Sequence, residues 1–523
     1  MRTVRLLLPA LLVALVCPMP AAGPDQAATP AAPPAARRVP APETARRQGW
    51  LDRFARGYFP GRSGQLFVVP REGTIVTERD PLYGFMHGSP WDYDSHIPIL
   101  FHGAPFVRQG RWSVPATQQD IAPTLGAILG APVAATYTGR VLPNVLAPAR
   151  QRPKVAVVMV LDGMRADYFD RYAEVMPTLT RMRRQGAWFS EARSTVLPTV
   201  TGVGHATIGT GTDPRFHGIT VNNLFNRATG RSQQAYDKLD PRELMALTLA
   251  DIWNLTTDGR AVIIGHGGAI RATAGLVGRG ACLVNGRAVM AASYSTADAG
   301  WETNPDCYVM PEALKAFNGK RFWTAEGGTW MGHDIATPTK FRASAVFQRF
   351  EAEALLAVIE RESIGADDTT DLVMVNMKGP DYTGHAYGPH SAEIKETLAE
   401  LDRQIAKLLE LLDRKAGTGQ SVVVITADHG MPPEPKGGRR VYPEEIVSAI
   451  HQRFDPDGKA LVKYYDDAAN NELYIDTARL QSLGFTLKDV ASMLEALPYY
   501  AAAFTEDDVR GAQSRLPALR RRP

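Results

Sequence analysis

The chain has 523 residues, of which 45% are hydrophobic and 22% charged, with a formal net charge of +3. That composition provides for a large packed core in one big domain with insertions, or in two domains. It speaks against a dedicated nucleic-acid-binding module, which concentrates basic residues in a stripe; here the basic runs gather at the two ends and read as solvated tails.

In chain order, Arg2 and Arg5 flank the start of an apolar run, Leu6 to Val16, with small residues following at Ala21 and Ala22. Residues 1–23 therefore read as a secretory signal, and the protein is expected to be exported, periplasmic or secreted. The run is too short to span a bilayer, and no membrane span is expected elsewhere. Residues 24–49, rich in Ala and Pro, read as a disordered linker. Short apolar runs then end abruptly in polar residues. His96 to Phe101 leads into His102-Gly103, Val155 to Leu161 into Asp162-Gly163, Leu372 to Val375 into Asn376, and Val422 to Thr426 into Ala427-Asp428-His429-Gly430. Runs of this kind suit strands buried on both faces of a parallel sheet. Helical patterns lie between them, over Met176 to Gln185 and Ala392 to Leu412. Residues 223–341 break the rhythm and read as an inserted, cap-like region. Within it Cys282 and Cys307 are expected to form a disulfide if the protein is exported. Beyond Val441 the pattern suggests a small α+β excursion. Alternating strands and helices predict an α/β fold, a doubly wound and mostly parallel sheet flanked by helices. Such sheets bind ligands beyond the carboxyl ends of their strands, where Asp162, Asp381 and Asp428-His429 all fall.

Asp381 and His385, four residues apart, can share one face of a helical turn and bind one cation. Each of the motifs around Asp162, Asp381 and Asp428 reads, taken singly, equally well as a cap or strand-end turn. Together they form a cluster of carboxylates and imidazoles that a protein seldom buries without a cation. Thr201 lies in Pro198-Thr-Val-Thr-Gly-Val-Gly-His205, a Gly-rich turn ahead of a helix, and helix N-termini favour phosphate. A Thr hydroxyl needs activation to act as a nucleophile, which a divalent metal provides; without the cluster it reads as an N-cap.

Thr201-Gly-Val-Gly-His205, His217-Gly-Ile, Pro380-Asp-Tyr-Thr-Gly-His-Ala-Tyr-Gly-Pro389 and Thr426-Ala-Asp-His-Gly430 resemble the alkaline phosphatase superfamily. The nearest branches are the type I phosphodiesterase/nucleotide pyrophosphatases and the phosphate-irrepressible alkaline phosphatases. The resemblance implies two divalent metal ions, zinc by analogy. One would take Asp162, Thr201, Asp428 and His429; the other would take Asp381, His385 and a further histidine. In the family that histidine follows the Asp-His-Gly motif, but here the only later histidine is His451, inside a helical pattern. Residues 50–145 instead resemble the family's terminal segment: Met86-His-Gly-Ser-Pro-Trp-Asp-Tyr-Asp-Ser-His-Ile-Pro-Ile-Leu-Phe101 its last ligand loop and strand, and Gln119 to Gly130 its final helix. This reads as a circular permutation, with His87 as the last ligand and 154–222 and 342–515 as the catalytic core.

The resemblance implies Thr201 as nucleophile and Asn222 as a phosphate-contacting amide. A Lys/Arg pair that grips phosphomonoesters in the phosphatase branch has no counterpart in Gly265-His-Gly-Gly-Ala-Ile-Arg271. Arg271 and Lys378 are candidate substitutes but read more readily as surface or structural cations. The expected function is therefore a metal-dependent phosphoric-ester hydrolase leaning to phosphodiester and nucleotide pyrophosphate substrates. The alternatives are a phosphomonoesterase and a non-catalytic metal- or phosphate-binding protein. A sulfatase is disfavoured by threonine at position 201.

Overall fold

The computed structural model describes residues 43–149, 151–283, 289–435, 437–465 and 471–519. The signal expected over 1–23 lies outside them, as does most of the expected linker. The described part of that linker is not irregular: Glu43–Gly57 is a helix. Its Ala and Arg content resembles a linker, but Phe54, Ala55 and Tyr58 are buried against Phe67, Phe504 and Val509, and that packing fixes the helix.

A nine-stranded sheet forms the centre. Numbered in chain order, its strands are β1 (Ile99–His102), β2 (Gly110–Trp112), β3 (Val155–Leu161), β4 (Ala187–Phe189), β5 (Ile263–Gly267), β6 (Met290–Tyr294), β7 (Trp301–Glu302), β8 (Asp371–Met377) and β9 (Ser421–Thr426). Their spatial order is β7-β6-β5-β8-β3-β9-β1-β4-β2. The five strands from β6 to β9 run parallel. β3 and β8 are buried at every residue, as the apolar runs Val155 to Leu161 and Leu372 to Val375 require of strands covered on both faces. The α/β expectation therefore holds, with two antiparallel strands: the short edge strand β7, on β6, and β1. β1 pairs antiparallel with both β9 and β4, because burial of an apolar run does not encode its direction.

Five helices position the site: α1 (Thr201–Thr210), α2 (Ile270–Val277), α3 (Ala345–Arg361), α4 (Gly379–Tyr387) and α5 (Ala392–Ala416). The expected insertion over 223–341 is not one separate cap, since β5, β6, β7 and α2 belong to the central α/β layer. Glycines in Ile-Ile-Gly-His-Gly hide β5 from a hydrophobic pattern. Cys282 and Cys307 are joined by a disulfide.

The expected core over 342–515 is likewise divided. Residues 462–465, 472–475, 66–70 and 500–505 form a separate four-stranded antiparallel sheet, in that order. It has its own core of Leu66, Val68, Ile446, Leu473, Val490 and Leu494. The segment 50–145 thus serves two sheets: Leu66–Pro70 lies in the middle of the small one and Ile99–His102 in the large one.

Candidate active site

The polar ends of β3, β8 and β9 meet the N-terminus of α1 and the first turns of α4. Asp162 follows β3, Asp428 follows β9, and Asp381 lies in the first turn of α4. All three carboxylates are buried, as are Thr201, His87, His385 and His429. The seven expected ligand residues therefore converge. His87, Asp381 and His385 bring their ligand atoms together in one group, and Asp162, Asp381 and His429 in another.

The hydrogen bonds reveal what this cluster demands. Opposite a carbonyl oxygen, an imidazole nitrogen must be the donor. His87 Nδ1 donates to Thr199 (2.7 Å), His385 Nδ1 to Phe85 (2.6 Å) and His429 Nδ1 to Gly430 (2.9 Å). Each ring therefore turns Nε2 toward carboxylate oxygen. The distances are 3.5 Å from His87 and 3.2 Å from His385 to Asp381, and 3.1 Å from His429 to Asp428. Asp381 Oδ1 and Asp428 Oδ2 accept no hydrogen bond among the described residues, and Asp381 Oδ2 has only an ion pair with the Lys378 ammonium at 2.6 Å. Lone pairs facing lone pairs in a buried site call for a cation, and backbone carbonyls that orient ligating imidazoles are the usual second layer of a metal site. The electrostatics carry the same demand. Burial opposes charge on His429, but Asp428, Asp162 and Asp381 outweigh it and push its pKa up to about 9. Burial holds the His87 pKa well below the usual value, and neighbouring His429 adds to this.

Thr201 is the first residue of α1, a helix buried throughout. The helix gets that close through its glycines: a Cβ on Gly204 would stand 2.6 Å from the Asp428 Cβ, and one on Gly209 would stand 2.3 Å from the Gly275 carbonyl of α2. Thr201 Oγ lies 3.4 Å from His429 Nε2. Asn222 Oδ1 accepts from the Gly202 N–H at 2.8 Å, which ties it to the α1 N-terminus and directs its amide hydrogens elsewhere.

Three further residues belong to the site. His205, on α1 one turn beyond Thr201, donates from Nδ1 to the Thr201 carbonyl (2.9 Å), and its Nε2 accepts from Asn376 Nδ2 (2.9 Å). Asn376 also donates to Asp162 (2.8 Å). His205 groups with Asp162 and Asp428, but both its nitrogens are engaged, so it braces the carboxylates and has no lone pair to offer a metal. The i, i+4 spacing from Thr201 was the available signal for it. Lys378, read above as a surface or structural cation, is buried among Asp162, Asp381 and Thr201. Burial alone would lower its pKa, but Asp162 and Asp381 more than reverse that.

The fold and this site define a class. The crystal structure of wild-type alkaline phosphatase PafA shares the fold, with a TM-score of 0.56 at 22% identity over 71% of this chain and 81% of that one. The sequence profile of the type I phosphodiesterase / nucleotide pyrophosphatase family matches residues 156–512, and the chain belongs to that family. It is similar to alkaline phosphatase PafA of Elizabethkingia meningoseptica (28% identical, covering 53% of this chain and 60% of the relative). It is also similar to alkaline phosphatase PhoK of Sphingomonas sp (24%, covering 69% and 72%) and to venom phosphodiesterase 2 of Crotalus adamanteus (25%, covering 54% and 28%). The match spans about three fifths of the length of PafA and of the Synechococcus elongatus alkaline phosphatase PhoV. Among the described residues, no helix is long and apolar enough to cross a membrane.

Proposed function

We propose that the chain is a hydrolase of phosphate esters, with Thr201 as nucleophile and two divalent cations, zinc by analogy with the superfamily. The observation that carries this is the set of three buried histidines whose Nε2 atoms face buried carboxylate oxygens beside a helix-terminal hydroxyl. His87, Asp381 and His385 would hold one ion; Asp162, Asp428, His429 and Thr201 would hold the other. Bound there, a divalent cation supplies Lewis acidity toward a coordinated hydroxyl and toward phosphoryl oxygen. The chain's own part is to aim the Thr201 hydroxyl from the positive end of α1 and to place the Asn222 amide for a phosphoryl oxygen.

Among phosphate esters, singly charged diesters and pyrophosphates fit best. Gripping a dianionic monoester calls for extra free cations; the Lys378 ammonium already has oxygens of Asp162, Asp381 and Thr201 around it, which leaves Arg271, its Nε buried without a hydrogen-bond partner among the described residues, as the single remaining candidate of the two. The test is kcat/KM for a nitrophenyl monoester and a bis-nitrophenyl diester with zinc-loaded protein and Thr201→Ala as the blank. A diester preference is expected. A monoester preference makes the protein an alkaline phosphatase, and no rate above the blank with either substrate overturns the proposal.

The reading of 50–145 as the family's terminal segment moved to the front remains part of this proposal. The family match begins at residue 156, yet His87 joins the metal-binding group and β1 lies against β9. Export is proposed with it, supported by the Cys282–Cys307 disulfide.

A further inference from the structure

Lys378 sits between β8 and α4 and is pinned along its length. Its backbone N–H faces both oxygens of the buried Glu351 carboxylate, at 3.2 and 3.1 Å. The Tyr382 ring lies 5.3 Å from Nζ. The side chain is 1% exposed, and the ammonium lies 2.8 Å from Asp162 Oδ1 and 2.6 Å from Asp381 Oδ2. It donates a hydrogen bond to Thr201 Oγ at 3.0 Å. An ammonium has three N–H groups; this one donates hydrogen bonds to Asp162 Oδ1 and Thr201 Oγ and is ion-paired with Asp381 Oδ2. A structural cation would need only the two carboxylates, and a substrate-gripping cation would keep a donor turned outward. This one is turned onto the hydroxyl that leads the helix.

We propose that Lys378 is a catalytic residue that stabilises negative charge on Thr201 Oγ in both halves of the reaction. The inference rests on the reading of Thr201 as nucleophile. In the first half the Oγ–P bond forms as the bond from phosphorus to the ester oxygen breaks. The Thr201 proton passes to solvent, and the departing oxygen takes up a proton from solvent. In the second half a water oxygen bonds to phosphorus as Oγ–P breaks, and a proton from that water restores the hydroxyl. Oγ carries charge as attacking atom in one half and as leaving atom in the other, so one fixed N–H donor serves both. A donor aimed at charge that develops in the transition state acts on rate more than on binding.

The test uses the full-length zinc-loaded protein and its Lys378→Met and Lys378→Gln variants. Zinc content is measured by elemental analysis, phosphate on Thr201 by acid quench and intact mass, and kcat and KM with a nitrophenyl monoester and a bis-nitrophenyl diester. At unchanged zinc content, kcat should fall about 100-fold for both substrates with little change in KM. The rate at which Thr201 acquires phosphate should fall in step. A loss confined to the monoester overturns the proposal in favour of a substrate-binding cation. Undiminished phosphorylation also overturns it, and so does loss of zinc or of folding in both variants, which would make Lys378 a charge neutraliser. Wild-type protein that never carries phosphate on Thr201 refutes the nucleophile reading itself. Wild type that does, with variants equally fast, refutes only the role of Lys378.

Discussion

The imidazoles of His87, His385 and His429 are aimed by backbone carbonyls, so each ring is oriented before any ion arrives. His87 gives the sharpest check at this scale because it comes from outside the family match. His87→Ala should lower bound zinc from about two to about one per chain, read by elemental analysis. His96→Ala, in the same segment but bonded to the Ser190 carbonyl, should leave zinc unchanged. Equal zinc in wild type and His87→Ala would remove His87 from the centre and undercut the permuted reading. Asp162, Asp381, His385, Asp428 and His429 were legible in sequence because each sits in a short motif at a strand or helix end. His205 was visible only as a residue one turn beyond Thr201, and Asn376 and the placement of Lys378 were not legible. The roles of Asn376 and Lys378 arise from partners on other elements, such as Asp162 and His205 on either side of Asn376, and no local spacing encodes that.

At the scale of elements, the glycines of α1 decide how near Thr201 comes to Asp428. Gly204→Ala puts a methyl group against the Asp428 Cβ, carbonyl and Cα, at 2.6, 2.8 and 2.9 Å. Overpacking of this kind costs about 1–3 kcal/mol and here displaces a proposed ligand. Both Tm and zinc affinity should drop. Gly511, within the helix Glu506–Gln513 and with nothing within 4 Å of a new Cβ, is the control: Gly511→Ala should stabilise by about 0.5–1 kcal/mol. A Gly204→Ala protein with unchanged zinc affinity would mean that the α1–Asp428 contact does not shape the centre. The parallel strands β3, β8 and β9 were legible from near-continuous apolar runs rich in β-branched residues. β5 was not, because Gly265 and Gly267 interrupt its pattern, and the direction of β1 was not, because burial of Ile99, Leu100 and Phe101 is the same either way.

For the whole molecule, the small sheet joins early and late parts of the chain, with Leu66 and Phe67 opposite Leu473 and Glu472. Glu472 is buried there, its Oε2 accepting from the Gly64 N–H at 2.8 Å. Burial raises its pKa from 4.5 to about 8. The folded state thus holds this proton more tightly than the unfolded chain does. The stability that comes from Glu472 is complete below the unfolded value of 4.5 and is lost as pH rises toward 8. Glu472→Gln keeps an acceptor for Gly64 without that loss. Its Tm relative to wild type should therefore climb between pH 5 and pH 8 and then level off. A Tm difference independent of pH would show that Glu472 titrates normally. This lobe was only half legible: its later strands could be read after Val441, but residues 66–70 gave no sign that they would cross into it.

The place of β1 between β4 and β9 also bears on the chain during its own synthesis. His87 and β1 leave the ribosome early; β9, Asp428 and His429 come late. Until β9 arrives, β1 has one unpaired edge, an open template for a neighbouring nascent chain. The proposed metal-binding groups lack Asp428 and His429 over the same interval. A prematurely terminated product would therefore be inert and prone to aggregate, and the proposed hydrolytic centre cannot act on phosphate esters before the last core strand has been made.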